Sequence, residues 1–236
     1  MHEVPVDPLP LIASELEWFA QQVPLAGLRL VELGCGSAAF ARALLALEPD
    51  TEVTAVEVDA TQMALNRAQP HHPRLHWIEA GAQAIPCAGE QFDGALMLKS
   101  LHHVPVPLMD QALAEVARVL RPGGWLYVSE PIYGGSLNEL VKLYNDEGEV
   151  RAAAQAALDR ALASGRWASE QETRFALPVV FSDFDDFSRR MLNASYRNDA
   201  IDSDLYQRLA QLYAPHQGPT GAHFAAPMLV RLLQRA

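Results

Sequence analysis

The sequence predicts an α/β protein built on an open, largely parallel sheet, and three observations lead there. Short apolar runs of strand length recur at residues 28–33, 52–59, 75–79, 92–98 and 125–131. Stretches with helical spacing separate most of these runs, and helical crossovers join parallel strands. The first run ends in a carboxylate, Glu32, and passes through Gly34-Cys35-Gly36 into a helix. That is the local form of a ligand-binding turn.

Leu28, Leu30, Val31 and Leu33 make up the first strand. Gly34 and Gly36 let the backbone turn tightly and let a ligand approach with no Cβ in the way. From Ala38 the pattern is helical, with Phe40, Leu44 and Leu47 placed on one face, and Pro49 ends it. Unpaired N–H groups at such a helix start form a polar cradle. The turn also satisfies the G-x-G-x-x-A form used for dinucleotides, so two cofactor classes are compatible with it. Glu32 separates them, because a carboxylate there repels a pyrophosphate and suits a ligand bearing an ammonium group.

At 236 residues, half of them hydrophobic and a fifth charged, the chain suits one α/β domain with insertions. A net charge of −11 without any dense Lys/Arg run argues against nucleic acid as a partner. No apolar stretch is long enough to span a bilayer, and Met1-His2-Glu3-Val4-Pro5 lacks the pattern of a secretion signal. Cys35 and Cys87 do not form a disulfide framework. The expectation is a cytoplasmic protein with reduced thiols and no membrane contact.

Pro5, Pro8 and Pro10 predict an extended leader, and Ser14 an N-cap for a helix carrying Leu16, Trp18, Phe19 and Val23. The second strand ends in Glu57, Val58 and Asp59; Asp59 with Gln62 fits a capping box, and Pro70 closes the helix. Glu57 stands roughly 20 residues beyond the turn, where nucleotide folds carry a ribose-binding acid. His71 and His72 read as loop residues, since no partner falls at a zinc spacing; no metal site is expected. Pro107 opens a helix with Leu108, Ala112, Val116 and Val119 on one face, and Leu120-Arg121-Pro122-Gly123-Gly124 ends it before the fifth strand.

The order of these features resembles the class I S-adenosylmethionine-dependent methyltransferases. The resemblance rests on Glu32-Leu33-Gly34-Cys35-Gly36, on Phe92-Asp93 with His102-His103-Val104 beyond it, and on Leu120 to Gly124, and it covers residues 28–131. It implies a Rossmann-like seven-stranded sheet, mostly parallel with the last strand antiparallel, and helices on both faces. It implies S-adenosylmethionine as cofactor, with Glu32, Gly34, Cys35 and Gly36 facing the methionine part and Glu57, next to Val58, accepting from both ribose hydroxyls. Gly81-Ala82-Gln83 matches the segment whose acid meets the adenine amino group in this family. Gly81 holds the acid's position, leaving the Ala82 backbone or the Gln83 amide as substitutes. Lys99, Ser100 and Leu101 line the cofactor through backbone atoms.

Past residue 131 only the general layout follows the family. Leu137, Leu140, Val141 and Tyr144 predict one helix and residues 150–162 another, together a helical insertion after the fifth strand. It reads as a substrate lid, a solvated helical pair or a dimer surface. Residues 173–181 are extended, Ser182 caps a helix with Phe184, Phe187 and Met191, residues 192–197 form a sixth strand, 205–213 a helix and 224–233 the closing strand.

The sequence therefore predicts a single methyltransferase domain over residues 1–236. It comprises an N-terminal helix region (1–27), a cofactor-binding core (28–131), a helical insertion (132–180) and a C-terminal part of the sheet (181–236). The predicted activity is methyl transfer to a small-molecule acceptor by in-line displacement. His103 and His102 are candidate bases, and Glu130, Tyr133 and His223 are acceptor-side candidates. A homodimer is compatible with the sequence. The alternatives are an NAD-dependent oxidoreductase, opposed by Glu32, and a non-catalytic S-adenosylmethionine-binding protein.

Overall fold

The computed structural model describes residues 9–192 and 201–236. In chain order it contains α1 (Glu15–Phe19), β1 (Arg29–Leu33), α2 (Ala39–Leu47), β2 (Glu52–Glu57), α3 (Ala60–Arg67), β3 (Leu75–Glu79), β4 (Phe92–Leu98), α4 (Met109–Val119) and β5 (Leu120–Pro131). There follow α5 (Ser136–Val141), α6 (Gly148–Ala163), β6 (Trp167–Phe181), α7 (Phe184–Phe187), α8 (Ser203–Tyr213), β7 (Gln217–Gly218) and β8 (Gly221–Arg235). The sheet order is β3-β2-β1-β4-β5-β8-β6, and β7 pairs antiparallel with β8 at the side. Seven strands thus form the main path, as expected.

The pairs β1–β2, β2–β3, β1–β4 and β4–β5 are parallel, with Glu32 opposite Ala55 and Leu96 and with Glu57 opposite Glu79. Between neighbouring pairs the helices α2, α3 and α4 carry the chain back. All the strand ends that follow a helix-to-strand crossover therefore open at the same edge, which is where ligands bind in such sheets.

The chain divides into two compact units. One comprises residues 14–130, 150–173 and 229–236; the other comprises 1–13, 131–149 and 174–228. In the first, Val31, Leu33, Val56, Met97, Leu113, Val116 and Leu126 form a buried core to which α6 contributes Ala154, Ala157, Leu158 and Ala161. In the second, Phe181, Phe187, Leu209, Tyr213 and Phe224 form an aromatic core with Leu140 of α5. The helices α5 and α6, expected as one insertion, therefore belong to different cores.

Local expectations hold in most places and fail for nameable reasons. Ser14 caps α1 by accepting from the Glu17 N–H at 3.2 Å. Asp59 caps α3, accepting from Thr61 and Gln62. The Gln62 side chain, however, donates to Asn66 instead of closing a capping box. On α2 the buried face is Ala41, Leu44 and Leu45, and Leu47 is exposed. The cap of α7 is Asp183, not Ser182, because the Asp183 carboxylate reaches the Asp186 N–H at 2.8 Å. Leu192 closes a π-helical turn, and the strand after the fifth is β6, whose Phe175, Ala176 and Phe181 are buried. The rest of the expected strand at 193–197 lies outside the described residues, as do Pro5 and Pro8.

One packing constraint sits near the start of β4, where Gly94 is paired with Leu30 and Trp125. A Cβ on Gly94 of β4 would overlap the Trp125 indole of β5, which in turn meets the Phe19 ring edge-on at 5.5 Å. Gly94→Ala is expected to destabilise the chain by about 1–3 kcal/mol. Urea unfolding followed by tryptophan fluorescence measures this; an unchanged midpoint removes the constraint.

Candidate functional site

The strand ends of β1, β2, β3 and β4 supply the site, and the glycine turn after β1 is its centre. The Gly34 and Cys35 N–H groups both donate to the Val56 carbonyl, at 2.9 and 3.0 Å, which holds the turn against β2. Gly34 adopts φ of 68°, and a Cβ there would come 2.7 Å from the Ser100 Cβ. Gly36 adopts φ of 52°, and a Cβ there would meet nothing within 4 Å. The turn is thus closed on one glycine and open on the other.

Glu57 is bound into this turn. One of its oxygens accepts from the Gly36 N–H at 2.8 Å, and the other accepts from the Val58 and Asp59 N–H groups at 2.9 Å each. The Asn66 side chain of α3 donates to the Gly36 carbonyl at 2.7 Å and so braces the turn from the other side. Val58 beside Glu57 is exposed. Asn66 was missed in the sequence; its only signal is an amide placed a full helical turn past Gln62, on a helix face that proves to be buried.

Glu32 lies beneath the turn with 3% of its surface exposed, and one carboxylate oxygen, Oε2, has no partner among the described residues. Burial raises its pKa from 4.5 to about 8, offset in part by a hydrogen bond from the Ala41 backbone and reinforced by the nearby Glu57 charge. An unpaired buried carboxyl of this kind is costly unless a cationic group meets it. Together the unpartnered Oε2 and the open space at Gly36 fit a ligand that carries an ammonium group. Burial, with Glu32 and Glu57 close by, also pushes the Cys35 thiol far above its ordinary range, so it stays neutral.

From β4, the Ser100 hydroxyl donates to the Leu33 carbonyl at 2.7 Å, tying the fourth strand end to the first. Lys99 takes a left-handed φ of 55°, and its N–H donates to the Ser129 carbonyl at 2.7 Å. Ala38, at the start of α2, is left-handed as well, with φ of 54°. Such backbone costs about 1–3 kcal/mol per residue and persists where the surroundings over-determine it.

His102 and His103 differ in setting. His102 is buried, and its Nδ1 is paired with an oxygen of Glu130; the other Glu130 oxygen accepts from the Leu101 N–H at 2.9 Å. Glu130 is 1% exposed, so it turns inward onto His102 and Leu101 and away from solvent. His103 is exposed, and its ring lies 4.0 Å from that of His102. Tyr133 and His223 belong to the other compact unit. There Tyr133 is hydrogen-bonded to Asp146, and His223 is 3.1 Å from the Thr220 hydroxyl.

Residues 30–124 match the methyltransferase domain family. This segment is a methyltransferase domain. It includes the glycine turn, Glu32, Glu57 and the histidine pair. A ubiquinone biosynthesis O-methyltransferase from Thiobacillus denitrificans is 31% identical over 140 residues, 55% of this chain and 53% of its own length. A fatty-acid O-methyltransferase from Mycolicibacterium smegmatis is 31% identical over 111 residues, 47% of this chain and 40% of its own length. The chain thus spans about half the length of these relatives or less. Among solved structures, the YcgJ protein of Bacillus subtilis superposes with a TM-score of 0.66 at 15% identity, covering 93% of this chain and 97% of that one. The methyltransferase domain therefore sits in a chain with the Rossmann-like fold of class I methyltransferases. The NAD-dependent reading is not favoured.

The buried Glu32 of the methyltransferase domain makes a pH prediction. The folded chain keeps a proton on Glu32 that the unfolded chain releases above about pH 4.5. This raised carboxyl therefore costs stability progressively as pH rises from there through about 8. Glu32→Gln removes that dependence. Melting curves are expected to show the two proteins alike near pH 5 and the variant several degrees more stable at pH 8.5. Parallel curves across this range contradict a buried, neutral Glu32.

Proposed function

We propose that the chain is an S-adenosylmethionine-dependent methyltransferase acting on an oxygen of a small-molecule acceptor. The observation that carries this reading is the pair of buried carboxylates at the glycine turn. Glu32 offers an unpartnered oxygen to an ammonium group, and Glu57 stands at the next strand end with its oxygens aligned by backbone N–H groups. An ammonium and a ribose diol are the two groups at the ends of the methionine and sugar parts of this cofactor.

When bound, S-adenosylmethionine supplies a methyl group made electrophilic by its sulfonium. Glu32 holds the ammonium and loses its proton as it does so. Glu57 accepts from the ribose hydroxyls, with Val58 beside it. Gly34, Cys35 and Gly36 keep the approach free of side chains, and the Gly81-Ala82-Gln83 turn meets the base. Lys99, Ser100 and Leu101 present backbone atoms.

His102 takes the acceptor's proton. Its Nδ1 is paired with Glu130, which stabilises the imidazolium that forms. His103, exposed and tilted against it, is the second base candidate. Alignment and exclusion of water contribute the rest of the rate. Tyr133 and His223 remain acceptor-side candidates.

The names of the two O-methyltransferases described above support an oxygen acceptor. The acidic net charge supports a partner other than nucleic acid. No described helix is long and apolar enough to cross a membrane, and free Cys35 and Cys87 accord with a cytoplasmic setting.

Calorimetric titration with S-adenosylmethionine, S-adenosylhomocysteine and NAD is expected to show binding of the first two alone. NAD binding alone overturns the proposal. Glu57→Ala is expected to weaken S-adenosylhomocysteine binding at least tenfold through the lost ribose contacts; unchanged affinity removes Glu57 from the site. Methyl transfer is then sought across quinol precursors and fatty acids with labelled cofactor. In that assay Glu130→Gln is expected to lower turnover by 10²-fold or more, as other losses of a histidine-orienting carboxylate do, and to move the pH profile. A full-rate variant contradicts the assigned role.

A further inference from the structure

We propose that the cleft between α4, α6 and the first residue of β6 binds a small aryl carboxylate, at a site separate from the cofactor edge. The cleft has a volume of about 210 Å³; Asp110, Leu113 and Ala114 of α4 line one side, and residues from Arg160 to Trp167 line the other. All of these belong to one compact unit. None of them belongs to the glycine turn, to Glu32 or Glu57, or to the histidine pair. An apolar cavity of about 150 Å³ holds benzene, so this cleft has room for a single ring with a charged group attached.

A tight reversal of the chain shapes the cleft. The helix α6 ends at Ala163, and Gly165, at φ of 75°, turns the backbone into β6. The Ser164 hydroxyl donates to the Ala161 carbonyl at 2.6 Å and accepts from the Arg166 N–H at 3.3 Å. Arg166 is thereby left exposed, whereas Trp167 beside it is buried with 5% of its surface exposed. Leu113 and Ala161 are buried as well, so the inner wall is apolar.

Charge and hydrogen bonding define the polar end of the ligand. The Arg160 guanidinium is already taken, since it holds the Asp110 carboxylate at 2.9 to 3.0 Å between α6 and α4. Arg166 has no ion-pair partner among the described residues, so the lining keeps one positive charge over and suits a monoanion. The Trp167 Nε1–H is buried without a hydrogen-bond partner among the described residues. That is a cost which an acceptor drawn in beside the ring recovers. A bare inorganic anion would leave Leu113, Ala161 and the indole unmatched, whereas an aryl body covers them.

The test is a ligand-observed NMR titration with benzoate, after melting curves show that each variant is folded. Benzoate is expected to bind the wild type with a Kd of about 1 mM or tighter. Benzamide and acetate each carry half of the recognised chemistry and are expected to bind at least about fivefold more weakly. Arg166→Gln is expected to bring benzoate and benzamide to within about twofold of each other. Ala114→Trp fills the cleft from a half-buried helix position and should abolish binding of both. Saturating S-adenosylhomocysteine should leave the affinity for benzoate unchanged. A wild type that does not bind benzoate overturns the inference, as does an Ala114→Trp variant that binds it undiminished. Benzamide that binds as well as benzoate, or benzoate that S-adenosylhomocysteine displaces, overturns it too.

Discussion

The hydrogen bond from the Gly36 N–H to the Glu57 carboxylate is the contact on which the site depends. It joins a turn after the first strand to the tip of the second, over 21 residues of chain. Without it Glu57 would be an ordinary strand-end glutamate, free to face solvent. With it, the two acids at the sheet edge are held at fixed places, one below the turn and one beside it. Asn66 and Ser100 serve the same end from α3 and β4, by taking up the Gly36 and Leu33 carbonyls. Turn, acid and flanking strand ends thus form one hydrogen-bonded unit.

The electrostatics follow from that rigidity. Two carboxylates near each other in a buried place cannot both be charged cheaply. Glu57 draws three N–H donors, whereas Glu32 keeps an oxygen with none, and burial above all, reinforced by the Glu57 charge, raises the Glu32 pKa to about 8. The asymmetry separates their uses. A carboxylate already surrounded by dipoles suits neutral hydroxyls, and one that lacks them suits a cation.

Much of this was legible in the sequence because it depends on short-range patterns. The five parallel strands, the glycine turn, the Asp59 cap and the positions of Glu32 and Glu57 all follow from local spacing and strand length. The parts that were not legible depend on distant partners. That Glu130 would turn inward onto His102 requires two strand ends 28 residues apart to meet. Asn66 has no neighbour in sequence that announces the Gly36 carbonyl. The alanine-rich stretch at 152–163 looks compositional, yet Ala154, Ala157 and Ala161 form the small-residue face with which α6 enters a core. In the C-terminal half, β6 was displaced in the sequence reading because its exposed residues 168–172 carry no strand-like apolar run.

The shared volume at residues 81 and 83 makes the two positions act as a pair. A Cβ at 81 would overlap the folded-back Gln83 amide, so the space admits one of them and not both. The amide is the far end of a flexible side chain, so a substitution at 81 moves it aside at little structural cost, and the effect of a change at either position depends on what stands at the other.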